Sequence, residues 1–203
     1  FVYLPMWEPS PDPGPDAPFT SVTQWTWEEL YYQGRTLGAS KRLAYMRYLD
    51  LPVRARRSFE LAANVGAKDP VGDRDTLTTW GWRVADPHQV AATPEAYRDY
   101  LRASRAEIQC PKPLFRELKT GWVSDRSVCY MALGRPVLAE ETGFSRHLPT
   151  GRGILTFGDI NEAVEGVAEI DGNYTMHSRA AREMACDLFS SERQLNAMIA
   201  ACG

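Results

Sequence analysis

The chain has 203 residues, 44% apolar, 24% charged and 11% aromatic, at 22.8 kDa, which fits one large domain or two small ones with a real core. Its 23 Lys+Arg against 26 Asp+Glu give a formal charge of -3, so no global cationic field is available to hold a polyphosphate backbone, which argues against nucleic acid as the main partner. No apolar run reaches the roughly 20 residues of a membrane span, and the N-terminus lacks a charged-then-apolar signal pattern. Cys110, Cys129, Cys186 and Cys202 fall in no CxxC or Cys/His spacing, which points to reduced thiols in a cytoplasmic protein without a zinc site.

In chain order, residues 1–18 hold Pro5, Pro9, Pro11, Pro13, Pro15 and Pro18, and proline at that density specifies an extended linker or wrap. Phe1, Val2, Tyr3, Leu4, Met6 and Trp7 are too apolar for a free tail, so this segment is expected to dock on a surface, its own or that of a missing part. From Phe19 short apolar runs alternate with amphipathic stretches, the signature of β-α units and a mostly parallel sheet. Phe19 to Trp25 reads as the first strand. A polar connection through Gly34 and Gly38 leads to a helix that Ser40 caps, with Leu43, Met46, Tyr48 and Leu49 at helical spacing, ended by Pro52. Ser58 to Ala63 reads as a strand, Asp73 to Trp80 as a helix and Trp82 to Ala85 as a strand. Thr93-Pro94-Glu95 opens a helix running to about Ala103.

The second half continues with strand Ala106 to Cys110, helix Ser124 to Leu133 stopped by Gly134, strand Pro136 to Ala139 and strand Gly153 to Phe157. A helix from Asp159 carries Ala163, Val164, Val167 and Ile170 on one face. Helices over Asn173 to Leu188 and Ser191 to Ala201 follow, with no internal repeat.

The segment Thr120 to Val137 is the most informative. It reads as a loop, a small capping residue, a helix, a glycine stop and a buried strand. The free N–H groups and positive dipole end of such a helix start bind anions, diphosphates in particular. Ser124 is the cap, and Arg126 and the Ser127 hydroxyl are placed to add bonds to phosphate oxygens; an ordinary capped helix with a solvated Arg126 is the alternative.

Here the sequence resembles a known family. Ser124-Asp125-Arg126-Ser127, Gly134-Arg135-Pro136-Val137, Glu141-Thr142-Gly143-Phe144 and Leu148-Pro149-Thr150-Gly151-Arg152-Gly153, in that order, resemble the nucleotide-sugar-binding C-terminal domain of GT-B glycosyltransferases, in the group 1 glycosyltransferase-like branch. The likeness extends more weakly through Tyr97 to Tyr100 and Ala106 to Lys112, and covers most of Phe19 to Leu188. It implies a Rossmann-like three-layer α/β/α parallel sheet over residues 19–203, with extra C-terminal helices. It also implies a diphosphate site at Ser124, Asp125, Arg126, Ser127 and Lys112, with Arg116 as an alternative to Lys112. Donor-sugar contacts would come from Glu141, Thr142, Gly143, Phe144 and His147, with no cofactor beyond the nucleotide-sugar substrate and no metal.

The departures matter as much. Retaining GT-B enzymes with a Glu-x7-Glu motif place their second glutamate at the position of Cys129, and that motif is absent. The family's inverting base comes from a partner N-terminal domain, and a second Rossmann domain does not fit in this length. The expectation is a donor-binding half whose acceptor site and catalysis need a missing N-terminal half. The alternative is a non-catalytic Rossmann-like binding or scaffold module that has lost the donor site; a flavodoxin-like or response-regulator domain fits the alternation but lacks the acidic pocket pattern.

Other candidates are weaker. Asp73-Arg74-Asp75 spells a metal-binding DxD but also suits a helix N-terminus. His88, His147 and His177 have no ligand spacing. Glu140 and Glu141 follow a strand whose end faces ligands in such sheets, and Trp25 and Trp27 are ligand-facing candidates at the end of the first strand. There is no GxGxxG, P-loop or GxSxG.

Overall fold

The structure is a computed structural model that describes residues 1–66 and 72–202. Among the described residues, strands β1 (Phe19–Thr23), β4 (Phe59–Ala63), β5 (Trp82–Ala85), β6 (Ala106–Gln109), β7 (Val137–Glu140) and β8 (Ile154–Phe157) form one sheet in the order β5-β4-β1-β6-β7-β8, and every pairing in it is parallel. Strands buried on both faces favour apolar runs; these short segments are mostly apolar but carry buried polar residues, Thr20 and Ser21 on β1 and Glu107 and Gln109 on β6 among them. The chain builds outward from β1 to β5, returns beside β1 and builds outward to β8. The strand order therefore reverses between β1 and β6, where open sheets leave a crevice at their carboxyl ends.

Between β1 and β4 lie a hairpin, β2 (Leu30–Tyr32) and β3 (Arg35–Leu37), and the helices α1 (Lys41–Tyr45) and α2 (Leu51–Ala55). With α3 (Asp73–Thr79) and α8 (Ile160–Gly172) these helices cover one face, where Phe19, Phe59, Leu61, Ile108, Leu138 and Phe157 pack with Tyr45, Leu51, Leu77 and Val167. The other face carries α5 (Pro94–Arg102), α7 (Asp125–Ala132) and α9 (Tyr174–Leu188), packed through Leu101, Met131, Leu133, Val137, Ile154 and Ala181. Short helices α4 (Pro87–Val90) and α6 (Pro113–Glu117) sit in connections, and α10 (Ser191–Cys202) follows α9. No helix among the described residues is long and apolar enough to cross a membrane.

The expected single helix from Ser40 to Pro52 is corrected. It is α1, a 3-10 turn at Met46–Tyr48 and α2, with Pro52 in the first turn of α2, where its missing N–H costs nothing. Ser40 precedes α1 without capping it, because its hydroxyl donates to the Trp25 carbonyl at 3.0 Å. The connection through Gly34 and Gly38 holds the hairpin, and α4 and α6 were not expected, being too short to show a helical period. Thr93, Ser124 and Asp159 do cap their helices through side-chain oxygens.

Residues 1–18 lie along the α7/α9 side of this domain. Val2 is buried and bridges Ser190, and Arg182 donates to the Trp7 carbonyl at 2.7 Å. The buried Arg135 guanidinium donates to Ser10 Oγ, the Pro11 carbonyl and the Arg102 carbonyl at 2.7–2.8 Å, and Arg105 holds Asp12 at 2.6 Å. Val2 is thus covered by this chain itself, with Leu4 and Trp7 packed beside it, while Phe1, Tyr3 and Met6 remain exposed.

Candidate functional site

The carboxyl edge at the β1/β6 reversal is built from four segments. After β1 the chain lines a cavity of about 450 Å³ with Gln24, Thr26, Trp27 and Glu28. After β6, Lys112 opens α6 with its ammonium 4.2 Å from the centre of the Trp27 ring, a cation–π distance. The third segment is the start of α7. Ser124 Oγ and Asp125 Oδ1 accept from the Arg126 N–H at 3.3 and 3.0 Å.

The turn after β7 is tied to the loop before α7, since the Thr142 carbonyl accepts from the Gly121 N–H at 2.8 Å and the Thr142 hydroxyl donates to the Trp122 carbonyl at 2.7 Å. Gly143, with φ of +98°, would bring a side chain to 3.0 Å from the Lys119 carbonyl oxygen, so glycine is required there. This ties the 141–144 turn to residues 121 and 122, the loop that leads into α7.

Arg126 and Lys41 meet at this point. Lys41, the first residue of α1, is buried and donates to the Cys110 carbonyl, with its ammonium 5.1 Å from the Trp122 ring centre. Burial above all, and then the Arg126 guanidinium, lower it from the usual lysine range to about 7. Beneath α7, Glu107 on β6 is fully buried, and its Oε1 lies 3.8 Å from Arg126 Nε. Burial pushes the Glu107 carboxyl up, against the pull of Arg126 and of the nearby Ser127 hydroxyl. Neither Glu107 oxygen, nor Ser127 Oγ, nor Arg126 Nε or Nη2, has a hydrogen-bond partner of ordinary geometry. Lys41, Arg126 and the N-terminus of α7 thus gather around the buried Glu107 carboxyl at the sheet's open edge, with the exposed Asp125 carboxylate at the helix start beside them.

Of the remaining expected residues, Asp125 and His147 are exposed, and Glu141 accepts from the Gly143 N–H. Thr142 and Phe144 are buried, so their side chains support the turn rather than line its surface. Trp25 is corrected: it is core, and its indole N–H donates to Asp73 at 2.8 Å. Asp73 also takes Arg42 through two bonds of 2.6 and 2.8 Å, so it is an internal counter-ion. Glu140 is likewise not a ligand-facing strand-end acid: it is buried and accepts from Arg47 at 2.5 Å and Tyr48 at 2.8 Å, with Arg116 Nε 3.5 Å away. His177 is buried, its ring between the Gly153 N–H and Glu169. Burial pushes the thiol of Cys129 up to about 12, so it offers no anion in place of a carboxylate. Among the described residues no group of His, Cys, Asp and Glu could hold a metal ion.

Sequence reasoning missed Lys41 and Glu107. Each had a signal: a lysine opening a helix opposes the dipole, and a glutamate interrupts an apolar buried strand.

No protein-family model matches the chain, and no curated protein matches it in sequence. Solved structures do. TarM superposes with a TM-score of 0.62 at 13% identity, covering 98% of this chain and 37% of TarM. HepE of Anabaena in complex with UDP and glucose gives 0.61 at 14%, covering 99% of this chain and 54% of HepE. Sucrose-phosphate synthase from Thermosynechococcus elongatus gives 0.53 at 16%, covering 100% of this chain and 52% of the synthase. The chain therefore spans between about a third and somewhat over half of these proteins. What they share with it is the fold, a Rossmann-like α/β architecture with extra C-terminal helices, the one implied by the resemblance to the C-terminal domain of GT-B glycosyltransferases.

Proposed function

We propose that this chain is the donor-binding half of a GT-B glycosyltransferase, binding the diphosphate of a nucleotide sugar at the N-terminus of α7. The observation that carries this reading is the meeting of buried Lys41 and largely buried Arg126 at the β1/β6 reversal with Glu107 as their one buried counter-charge. A desolvated excess of positive charge at a helix start is stabilised by an anion. HepE, a structural neighbour, is in complex with UDP and glucose.

Arg126, Lys41 and the backbone N–H groups of the helix start at Ser124 to Ser127 hold the diphosphate, the buried Ser124 and Ser127 side chains supporting that start, Lys112 stands at the mouth beside Trp27, and the 141–144 turn with His147 borders the sugar. Leaving-group charge is neutralised by the helix start and these cations rather than by a divalent ion. An N-terminal half supplies the acceptor site, and the four free cysteines fit a reducing, cytoplasmic setting.

A thermal-shift screen with UDP, GDP, dTDP and their sugars, with and without magnesium, tests the reading. A magnesium-independent shift with one diphosphate supports it and names the base; no shift at millimolar nucleotide overturns it in favour of a scaffold module that lacks the donor site. Arg126→Ala is expected to weaken the binding of that diphosphate by about 1–3 kcal/mol, the range for hydrogen bonds to a charged group, as titration calorimetry would read. Unchanged affinity would remove Arg126 from the site.

A further inference from the structure

Glu107 is the unexplained group of the fold. It sits in the middle of β6, paired on either side by Thr20 of β1 and Val137 of β7, and it is fully buried with neither oxygen hydrogen-bonded. A carboxyl kept there with no backbone partner and only the Ser127 hydroxyl nearby does not stabilise the sheet; an apolar residue of that size would pack better. Its charged neighbours are Arg126 and Asp125 from α7 and Lys41 from α1. Tyr97 of α5 and Tyr130 of α7 feel its charge as neutral phenols, their ionisation pushed up by burial.

Among the described residues only Arg126 approaches it as an ion pair, through Nε at 3.8 Å, while Nη2 is buried without a hydrogen-bond partner and the side chain keeps 21% of its surface exposed. A guanidinium is a rigid fork, so fixing the Nε edge fixes where the Nη edge points. Without that counter-charge, desolvation and repulsion from Lys41 both favour Arg126 swinging to solvent.

We propose that Glu107 is a positioning residue for anion binding: from beneath α7 it holds the guanidinium of Arg126 in the crevice so that its other edge meets the phosphate of a nucleoside diphosphate. The proposal rests on the reading of the site given above. Glu107 also repels the ligand through space, an effect that does not need Arg126, and the two contributions separate in a double-mutant cycle.

The experiment measures the affinity of the whole chain for the nucleoside diphosphate found in the screen, in wild type, Glu107→Gln, Arg126→Gln and the double variant, with ligand-free melting curves for each. Glu107→Gln is expected to raise the dissociation constant about fivefold or more in the wild-type background, and to leave it unchanged or lower it in the Arg126→Gln background. A loss of equal size in both backgrounds means that Glu107 acts only by shaping α7, and an unchanged affinity in wild type means that it does not act; either overturns the proposal. Arg126→Lys gives a second route should Glu107→Gln not fold. Lysine keeps the charge but lacks the two separated, rigid N–H edges of the guanidinium, so its affinity should fall below wild type while staying above that of Arg126→Gln, and wild-type affinity in Arg126→Lys overturns the edge-to-edge role. If wild type binds no diphosphate, the donor reading fails and this proposal with it; if wild type binds and the cycle shows no coupling, only this proposal fails.

Discussion

Replacing Gly153 with alanine should lower the stability of the chain by about 3–5 kcal/mol, summing overpacking and left-handed strain. Gly153 has φ of +74°, and an added Cβ would meet the backbone of α9 at 2.5 Å from Ala181 N and 2.8 Å from Ala180 C. Backbone atoms in a helix cannot rotate away as a side chain can, so α9 must leave the sheet. The same residue donates its N–H to His177 on α9 and accepts from the Val137 N–H on β7. Both bonds hold the β8 end to the domain and both lengthen if α9 moves. Gly151 is the control: it has φ of +90° but nothing within 4 Å of an added Cβ, so Gly151→Ala should cost only about 1 kcal/mol, from the backbone alone. Thermal melts distinguish the two, since about 3–5 kcal/mol corresponds to roughly 10 °C in a domain of this size. Equal losses would show that α9 can yield at Gly153.

Lys41→Met should raise the melting temperature of the free protein and weaken diphosphate binding roughly 10- to 100-fold, the loss of one strong hydrogen bond to a charged group. Lys41 is 6% exposed and lowered to about 7, chiefly by burial. Its folded value lies below the unfolded one. The native state therefore binds fewer protons than the unfolded state between about pH 7 and the ordinary lysine range, and stability rises with pH across that window. The full cost of the buried ammonium is present below it. Methionine carries no such cost, so the variant should gain on the order of 2–4 kcal/mol near pH 7, and its melting temperature should lack the rise between neutral pH and about pH 9 that wild type shows. A bound diphosphate favours the charged lysine and returns in binding what the free protein loses in stability. A variant that melts lower than wild type at neutral pH would show that the bond from Lys41 to the Cys110 carbonyl outweighs the desolvation of the charge.

Much of the frame was legible in the residues. The strand starting at Phe19, the strand Trp82–Ala85 and the capped helices after Thr93, Ser124 and Asp159 are local features, decided by apolar period, by a hydroxyl or carboxylate at the cap and by proline in the first turn. The region from Gly34 to Pro52 was not. Its helices are too short for a period, and the Ser40 hydroxyl, which reads as a cap, is drawn off by a carbonyl fifteen residues earlier in the chain.

By itself the sequence determined an α/β chain with a capped helix start at Ser124 and a glycine-bearing turn at 141–144, because caps, turns and periods depend on neighbours a few residues away. Only the tertiary structure decided that Trp25, Asp73 and Glu140 are internal, that Thr142 ties the turn to the loop before α7, and that Lys41, Glu107 and Arg126 converge at one edge. Those three residues come from three different elements. Their meeting depends on where β6 returns beside β1, and long-range burial and charge, which no local spacing encodes, set their chemistry.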